Sequence, residues 1–387
     1  MRRSVTPSAP LLRIAVSLVV GIVLAAKWPL AMTVVLPLLA LGVGAALAVG
    51  RWPMVQSAMI GVCFVVLGMA AWNWSDGDEE RRAGPVAEWF LEQREVLLSR
   101  YRAQTDDEAA YAVLAAMTLG DKSALTPDLR ETYSVTGASH ILALSGLHLG
   151  IIYLLLTMLM LGRRGYVLSQ AVVILGIWAF ALLTGLSTSV TRAATMLSVY
   201  SVFSVGDRGR APLNVLSFTA IVLLLFNARA LFDVGFQMSF LSVLSILLFV
   251  PLFERLVPME FLMRHRLIRW LYSLSAVSVA AQLGVGPLIA FYFHRFSTYF
   301  LLSNFVVIPM ATLILYGALL TFLLPPAGHV LVWLVGVLNR ALGWLSALPY
   351  ASIDHLQLSL LQLLMVYVLV GCLYGILRFF VPQREVS

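Results

Sequence analysis

The chain has 387 residues, 60% of them apolar and 12% charged, with a mean hydropathy of +0.92. So little charge cannot cover a water-soluble surface, which excludes a soluble globular domain and points to an integral helical membrane protein. The net charge of +7 does not by itself indicate nucleic acid, because multi-span proteins concentrate Lys and Arg in cytoplasmic loops. Cys63 and Cys372 both fall inside apolar runs, far apart in sequence, and read as packing residues.

In chain order, the first apolar run, Leu11 to Ala26, is followed by further spans and lacks a small-residue cleavage region, so it reads as a retained span. Runs near the length of a span, about 20 residues, then place helices at 11–27, 30–50, 54–72, 141–161, 166–184, 189–205, 212–227, 234–252, 269–292, 299–323, 328–349 and 357–380. If these alternate, Arg2, Arg3, Arg13, Arg51, Arg163, Arg164, Arg208, Arg210, Arg255, Arg264, Arg266, Arg269, Arg378 and Arg384 share one side. Lys27, the acidic residues 75–80, Asp233 and Asp354 fall on the other. The bias predicts that both termini are cytoplasmic.

Residues 73–139 then face outward as extracytoplasmic or interfacial amphipathic helices. VAEWFLEQREVLLSRYRAQ interleaves apolar and charged residues at helical spacing, and a second helix is expected from Asp107 to Leu119. Thr126-Pro127 supplies an N-cap and a first helical residue for a third. GDKS at 120–123 departs from a phosphate-binding loop, because Asp121 separates Gly120 from Lys122 and position 115 is Ala. Gly120 instead ends the preceding helix.

Several stretches carry polar groups where hydrocarbon would be expected. TGASHILALSGLHLG, Thr136 to Gly150, holds His140, Ser145 and His148. On one continuous helix, Ser145 and His148 lie about 60° apart and His140 within about 140° of both, so one broad face would carry all three. These side chains admit three readings: catalysis, lining of a water-filled path, or hydrogen bonds between helices. No GxSxG surrounds Ser145, and two histidines alone make no metal site. TGLSTSVTR (184–192) is a polar, glycine-containing break whose amides, with Arg192, would suit an anion, or is simply a tight turn. FDVGFQMSF (232–240) places Asp233 and Gln237 one turn apart at a span entrance. AQLGVGPL (281–288) carries Gln282 and a Gly284-x-Gly286-Pro287 sequence expected to break or kink its helix, followed outward by His294, Arg295 and Asn304. Arg340, inside the eleventh expected span, either snorkels outward or faces a path.

Four of these stretches also resemble a known family. TGASHILALSGLHLG, TGLSTSVTRAATM (184–196), PLNVLSFTAIVLLLFNARALFDVGFQMSFLSVLSILLFVP (212–251) and AAQLGVGPLIAFYFHRFSTYFLLSNFVVIP (280–309) are similar, in order, to motifs of the ComEC/Rec2 competence family. The resemblance implies an inner-membrane channel that admits single-stranded DNA to the cytoplasm during natural transformation. Many members also carry an OB-like extracytoplasmic domain, for which residues 73–105 are too short. Many end in a metallo-β-lactamase-like domain, whose HxHxDH-type cluster is not supplied by the histidines at 140, 148, 265, 294, 329 and 355. The chain therefore reads as the competence domain alone, with no cofactor or metal, and any strand degradation is expected from a separate nuclease.

The expected fold is an all-α polytopic membrane protein of roughly 10–12 transmembrane helices plus outward-facing amphipathic helices, with broken helices around a polar interior. It divides into N-terminal transmembrane helices (1–72), the amphipathic region (73–139) and a competence-type channel domain (140–387). His140, Ser145, His148, Arg192, Asp233, Gln237, Gln282 and Arg295 are the expected path-lining or DNA-contacting residues. Expected partners are single-stranded DNA, the lipid bilayer, a nuclease and other DNA-uptake proteins. An intramembrane hydrolase using Ser145 and His148, and a small-anion transporter, are the alternatives.

Overall fold

The computed structural model describes residues 9–75, 84–160, 166–205, 211–321 and 327–380. Arg2, Arg3, Arg163, Arg164, Arg208, Arg210, Arg384 and the acidic residues 76–80 lie outside the described residues. The elements run α1 (Pro10–Lys27), α2 (Met32–Ala48), α3 (Pro53–Trp74), α4 (Pro85–Arg102), α5 (Glu108–Leu119), α6 (Pro127–Val135), α7 (Ser139–Leu142), α8 (Gly146–Met160) and α9 (Tyr166–Leu183). They continue as α10 (Thr188–Val205), α11 (Pro212–Phe226), a 3₁₀ turn (Ala228–Phe232), α12 (Val234–Phe253), α13 (Met259–Arg264), α14 (Arg266–Phe293) and β1 (Phe296–Ser297). Last come α15 (Phe300–Thr321), α16 (Ala327–Ser346), β2 (Ser352–Ile353) and α17 (Leu360–Phe380).

Eleven of the twelve expected spans are single helices, the span expected at 141–161 is divided between α7 and α8, and the chain is an all-α polytopic membrane protein. Among the described residues, seven helices (α1, α3, α12, α14, α15, α16 and α17) are long and apolar enough to cross a membrane, while α2, α5, α8, α9 and α11 are shorter apolar helices.

The described residues form two compact units. One comprises those of Met1–Arg82 and Thr195–Phe240. Its core gathers Leu18, Ile22, Leu224 and Phe236, and α1 packs tightly on α3. Glycine is required there: a Cβ on Gly68 would stand 2.3 Å from the Leu18 carbonyl oxygen.

The other unit comprises Ala83–Ala194 and Leu241–Ser387. Asp107 caps α5 by accepting the Ala109 and Ala110 amides, and Gly120 ends it with φ 73°. Thr126 caps α6 through the Leu129 amide, with Pro127 at its first position, as the sequence predicts. Unlike α4, whose Trp89 is exposed while Leu97, Leu98 and Tyr101 are buried, α5 is buried from Ala112 through Leu119. An alanine-rich helix that is apolar all round belongs in a core, and α4, α15 and α16 pack against α5. β1 and β2 pair antiparallel, Phe296 with Ile353 and Ser297 with Ser352.

Of the break or kink expected at Gly284-x-Gly286-Pro287, the break does not occur, since α14 continues through all three residues to Phe293. Pro287 removes one ladder bond only, and the glycines serve packing instead. A Cβ on Gly284 would stand 2.5 Å from the Leu241 carbonyl oxygen and 2.7 Å from Ser245 Cβ, so α12 crosses here at backbone distance. Tyr367 of α17 donates its hydroxyl to the Gly284 carbonyl at 2.9 Å.

Candidate functional site at an interrupted helix

Thr136 to Gly150 is not one helix. The α6 helix closes at Gly137 (φ 76°), whose amide donates to Ser134 while the Ala138 amide donates to Tyr133. That pair of bonds is a glycine-dependent helix stop. A Cβ on Gly137 would also lie 3.0 Å from Ser297 Cβ, so the turn rests on β1. One helical turn, α7, follows; Ala143 is extended; α8 starts at Gly146. The single-face reading of His140, Ser145 and His148 is therefore corrected: Ser145 precedes α8, and the three side chains belong to two helices and the gap between them.

What holds the gap open is a capping arrangement built from Ser145 and His148. The Ser145 amide donates to His148 Nδ1 at 3.3 Å, and Ser145 Oγ lies 3.2 Å from the same nitrogen. A third residue of the first turn reaching back to the cap amide is the geometry that Glu or Gln usually supplies. Because a backbone amide only donates, Nδ1 is the acceptor and the ring proton sits on Nε2. His148 has no solvent exposure, and its Nε2 has no hydrogen-bond partner among the described residues. Leaving such a donor unpaired costs about 1–3 kcal/mol. His140 holds the opposite tautomer: its Nδ1 lies 3.1 Å from the Gly137 carbonyl, which only accepts, and its side chain is exposed.

Three breaks converge on this gap. A Cβ on Gly120, at the end of α5, would stand 2.8 Å from Leu144 Cδ1 and 3.4 Å from the Thr184 carbonyl oxygen. The α9 helix stops at Gly185 (φ 79°) and Leu186 (φ 50°), with the Leu186 amide donating to Ala181. α10 then carries Arg192, which is buried. Its neighbour Ala193 lies against Gly146, where a Cβ would be 3.7 Å from Ala193 Cβ. The structure thus joins Ser145 to His148 and sets the first residue of α8 against α10 at Ala193, next in sequence to Arg192.

The remaining expected site residues lie elsewhere. Gln282 is half-buried on α14 beside Gly286. Arg295 is held by carboxylates: Nε donates to Asp354, Nη1 to Glu131 at 2.9 Å and to Ser134 at 3.0 Å, and Nη2 meets Glu131 at 2.7 Å. Bonding to Glu131, and then Asp354, raises the guanidinium's pKa further, and Arg295 in turn holds the Asp354 carboxyl below the usual carboxylate range. This cluster staples α6 to the β1–β2 pair, a role the sequence does not disclose because Glu131 and Asp354 meet Arg295 only in the fold. Asp233 and Gln237 belong to the other unit. There Asp233 caps α12 through the Gly235 and Phe236 amides, and Gln237 donates to the Leu231 carbonyl.

Chemically, the Ser145–His148 contact has nucleophile-to-base length. A working triad needs an acceptor on the far ring nitrogen to orient the imidazole, and among the described residues none meets His148 Nε2. Among those residues, too, no group of three or more His, Cys, Asp or Glu side chains stands close enough to hold a metal ion.

No solved structure matches the chain. Among curated proteins, it is similar to ComE operon protein 3 of Bacillus subtilis, 34% identical over 55% of this chain and 26% of that protein. An uncharacterized protein of Aquifex aeolicus is 30% identical over 52% of this chain and 47% of its own length. Recombination protein 2 of Haemophilus influenzae is 24% identical over 58% of this chain and 29% of its own. The chain thus spans less than half the length of each of these relatives. A family model described as Competence protein matches residues 117–379, which include all three converging breaks, and the chain belongs to that family.

Proposed function

We propose that the chain is an inner-membrane channel through which single-stranded DNA enters the cytoplasm during natural transformation, with both termini cytoplasmic. Membership of the competence family carries this reading. The interrupted helix supports it: irregular backbone at membrane depth is tolerated where it lines water or is covered by protein, and the His148 Nε2–H is a donor without an acceptor among the described residues. A passing phosphate oxygen would satisfy it. The chain moves DNA without breaking bonds, and strand degradation belongs to a separate nuclease. The test is delivery of labelled DNA to cells lacking the chain. DNA held outside the inner membrane is expected, and normal entry to the cytoplasm removes the reading. A small-anion transporter would instead leave transformation intact and move an anion with a coupling ion.

The Ser145–His148 contact at 3.2 Å favours an intramembrane hydrolase as the second reading. Ser145→Ala separates the two. A hydrolase loses all turnover, whereas in a channel the backbone amide still holds His148 Nδ1. DNA delivery should then stay within about twofold, in line with the small worth of one neutral hydrogen bond.

A further inference from the structure

Arg340 stands out among the described residues. It sits on α16, whose Leu331, Val335, Leu338, Leu342 and Leu345 are buried against the core shared with α5 and α15. The opposite face carries exposed Trp333 (61%), Arg340 and Trp344 (64%) at helical spacing. Tryptophans alone would suit lipid, but the arginine between them does not. α16 has twenty residues, about the thickness of the hydrocarbon core, and Gly336 is near its middle. A Cβ on Gly336 would stand 3.4 Å from Arg340 Nη1, so the guanidinium folds back over that middle turn. Long helical side chains do lean toward the N-terminus, which here carries the charge away from the nearer helix end. An exposed cation at that depth cannot face hydrocarbon and persist.

Its counter-charge cannot come from the spans of a second copy either. No Asp or Glu occurs anywhere in α1–α3, α8–α12 or α14–α17. Among the described residues, no carboxylate pairs with Arg340. Water and a mobile anion are what remain. Resting on the channel reading above, we infer that the Trp333–Arg340–Trp344 face of α16 lines the path and contacts single-stranded DNA. Arg340 engages a phosphate and the indoles offer stacking surfaces to bases.

The test places single cysteines in a Cys63→Ala, Cys372→Ala chain in native membranes and treats them with a water-soluble, charged thiol reagent. Arg340→Cys should react about a hundredfold faster than Val368→Cys on α17, whose side chain is 64% exposed on a span that is almost entirely unburied, because only a hydrated thiol ionises to the thiolate that attacks such a reagent. Added single-stranded oligonucleotide should slow the Arg340→Cys reaction about fivefold or more. In the otherwise native chain, Arg340→Gln should lower DNA delivery about tenfold at unchanged protein level, as expected for one charge-assisted bond, with Arg340→Lys within about threefold of the native chain. Three results overturn the inference: no reaction at position 340, a disulfide linking two copies through it, or a rate that oligonucleotide leaves unchanged in a chain that still delivers DNA. Failure of the channel reading is seen separately, without any Arg340 variant, as normal DNA entry in cells lacking the chain.

Discussion

Two stretches of this chain carry glycine and polar residues inside apolar runs, and they fold in opposite ways. Around Ala143 the helix stops and restarts as α7 and α8, whereas α14 runs unbroken through Gly284, Gly286 and Pro287. Breaker composition is similar or stronger in α14, so composition does not decide. What differs is whether the freed backbone groups find partners. At the gap, α7 stops where Ala143 turns extended, one turn after Gly137 has closed α6, and the Ser145–His148 pair supplies the restart. In α14 no capping pair is present, and the glycines admit α12 at backbone distance. A helix breaks where an alternative set of hydrogen bonds is available, and otherwise a helical glycine is a place for a neighbour.

The largest effect that would break this comparison is at Gly284. A Cβ there meets the Leu241 carbonyl oxygen at 2.5 Å, and backbone cannot rotate away as a flexible side chain can. Gly284→Leu should cost about 3 kcal/mol or more, at the upper end of overpacking. It should be visible as a sharp drop in folded protein extracted from membranes. A variant that accumulates and unfolds like the native chain would show that α12 and α14 do not cross so closely.

His148 comes next. His148→Gln keeps an acceptor for the Ser145 amide and a donor for whatever occupies the gap, and His148→Leu keeps neither. DNA delivery is expected to fall roughly ten- to hundredfold in His148→Leu, the worth of a bond to a charged acceptor, and much less in His148→Gln. Equal delivery in both would make the imidazole a cap and nothing more.

Most of the helices were legible in the sequence because length and hydropathy suffice: eleven of the twelve apolar runs are single helices within a few residues of their expected bounds. Asp107, Gly120 and Thr126 were legible because each signal is local. The gap at residues 143–145 was hidden. ALS carries no glycine or proline, and a histidine in the role of a capping glutamate is not a pattern one looks for. Arg295 could not be assigned its partners because Glu131 and Asp354 lie far away in sequence and meet it only in the fold. The central place of α5 was missed for a related reason. Its short run reads as too brief for a span, and its burial depends on the α15 and α16 surfaces around it.

Arg295 gives an effect of intermediate size. The Arg295 ion pairs hold the Asp354 carboxyl below its ordinary range, so the native state binds fewer protons there than the unfolded state. The stabilisation is present above the unfolded carboxylate pKa, near ~4, and is lost as pH falls through the depressed folded value. Arg295→Gln should remove about 1 kcal/mol at neutral pH, since the groups are partly exposed. It should also flatten the acid limb of thermal stability measured on the purified chain. An unchanged acid limb would mean that the cluster does not staple α6 to the strand pair.

The smallest effect sharpens the comparison most directly, because it concerns a glycine inside the restarted helix. Gly150 of α8 has open space where a Cβ would stand, with nothing within 4 Å. It is neither a stop, since α8 continues to Met160, nor a packing glycine like Gly284. If partners alone decide where a helix breaks, Gly150→Ala should leave the gap untouched and stabilise the chain by about 0.5–1 kcal/mol through backbone entropy. Thermal unfolding of the purified chain would read that gain. A loss of stability would mean that something packs into the open space beside Gly150. If DNA delivery fell while stability rose, that space would be part of the path, and the small residue would be there for the strand and not for the helix.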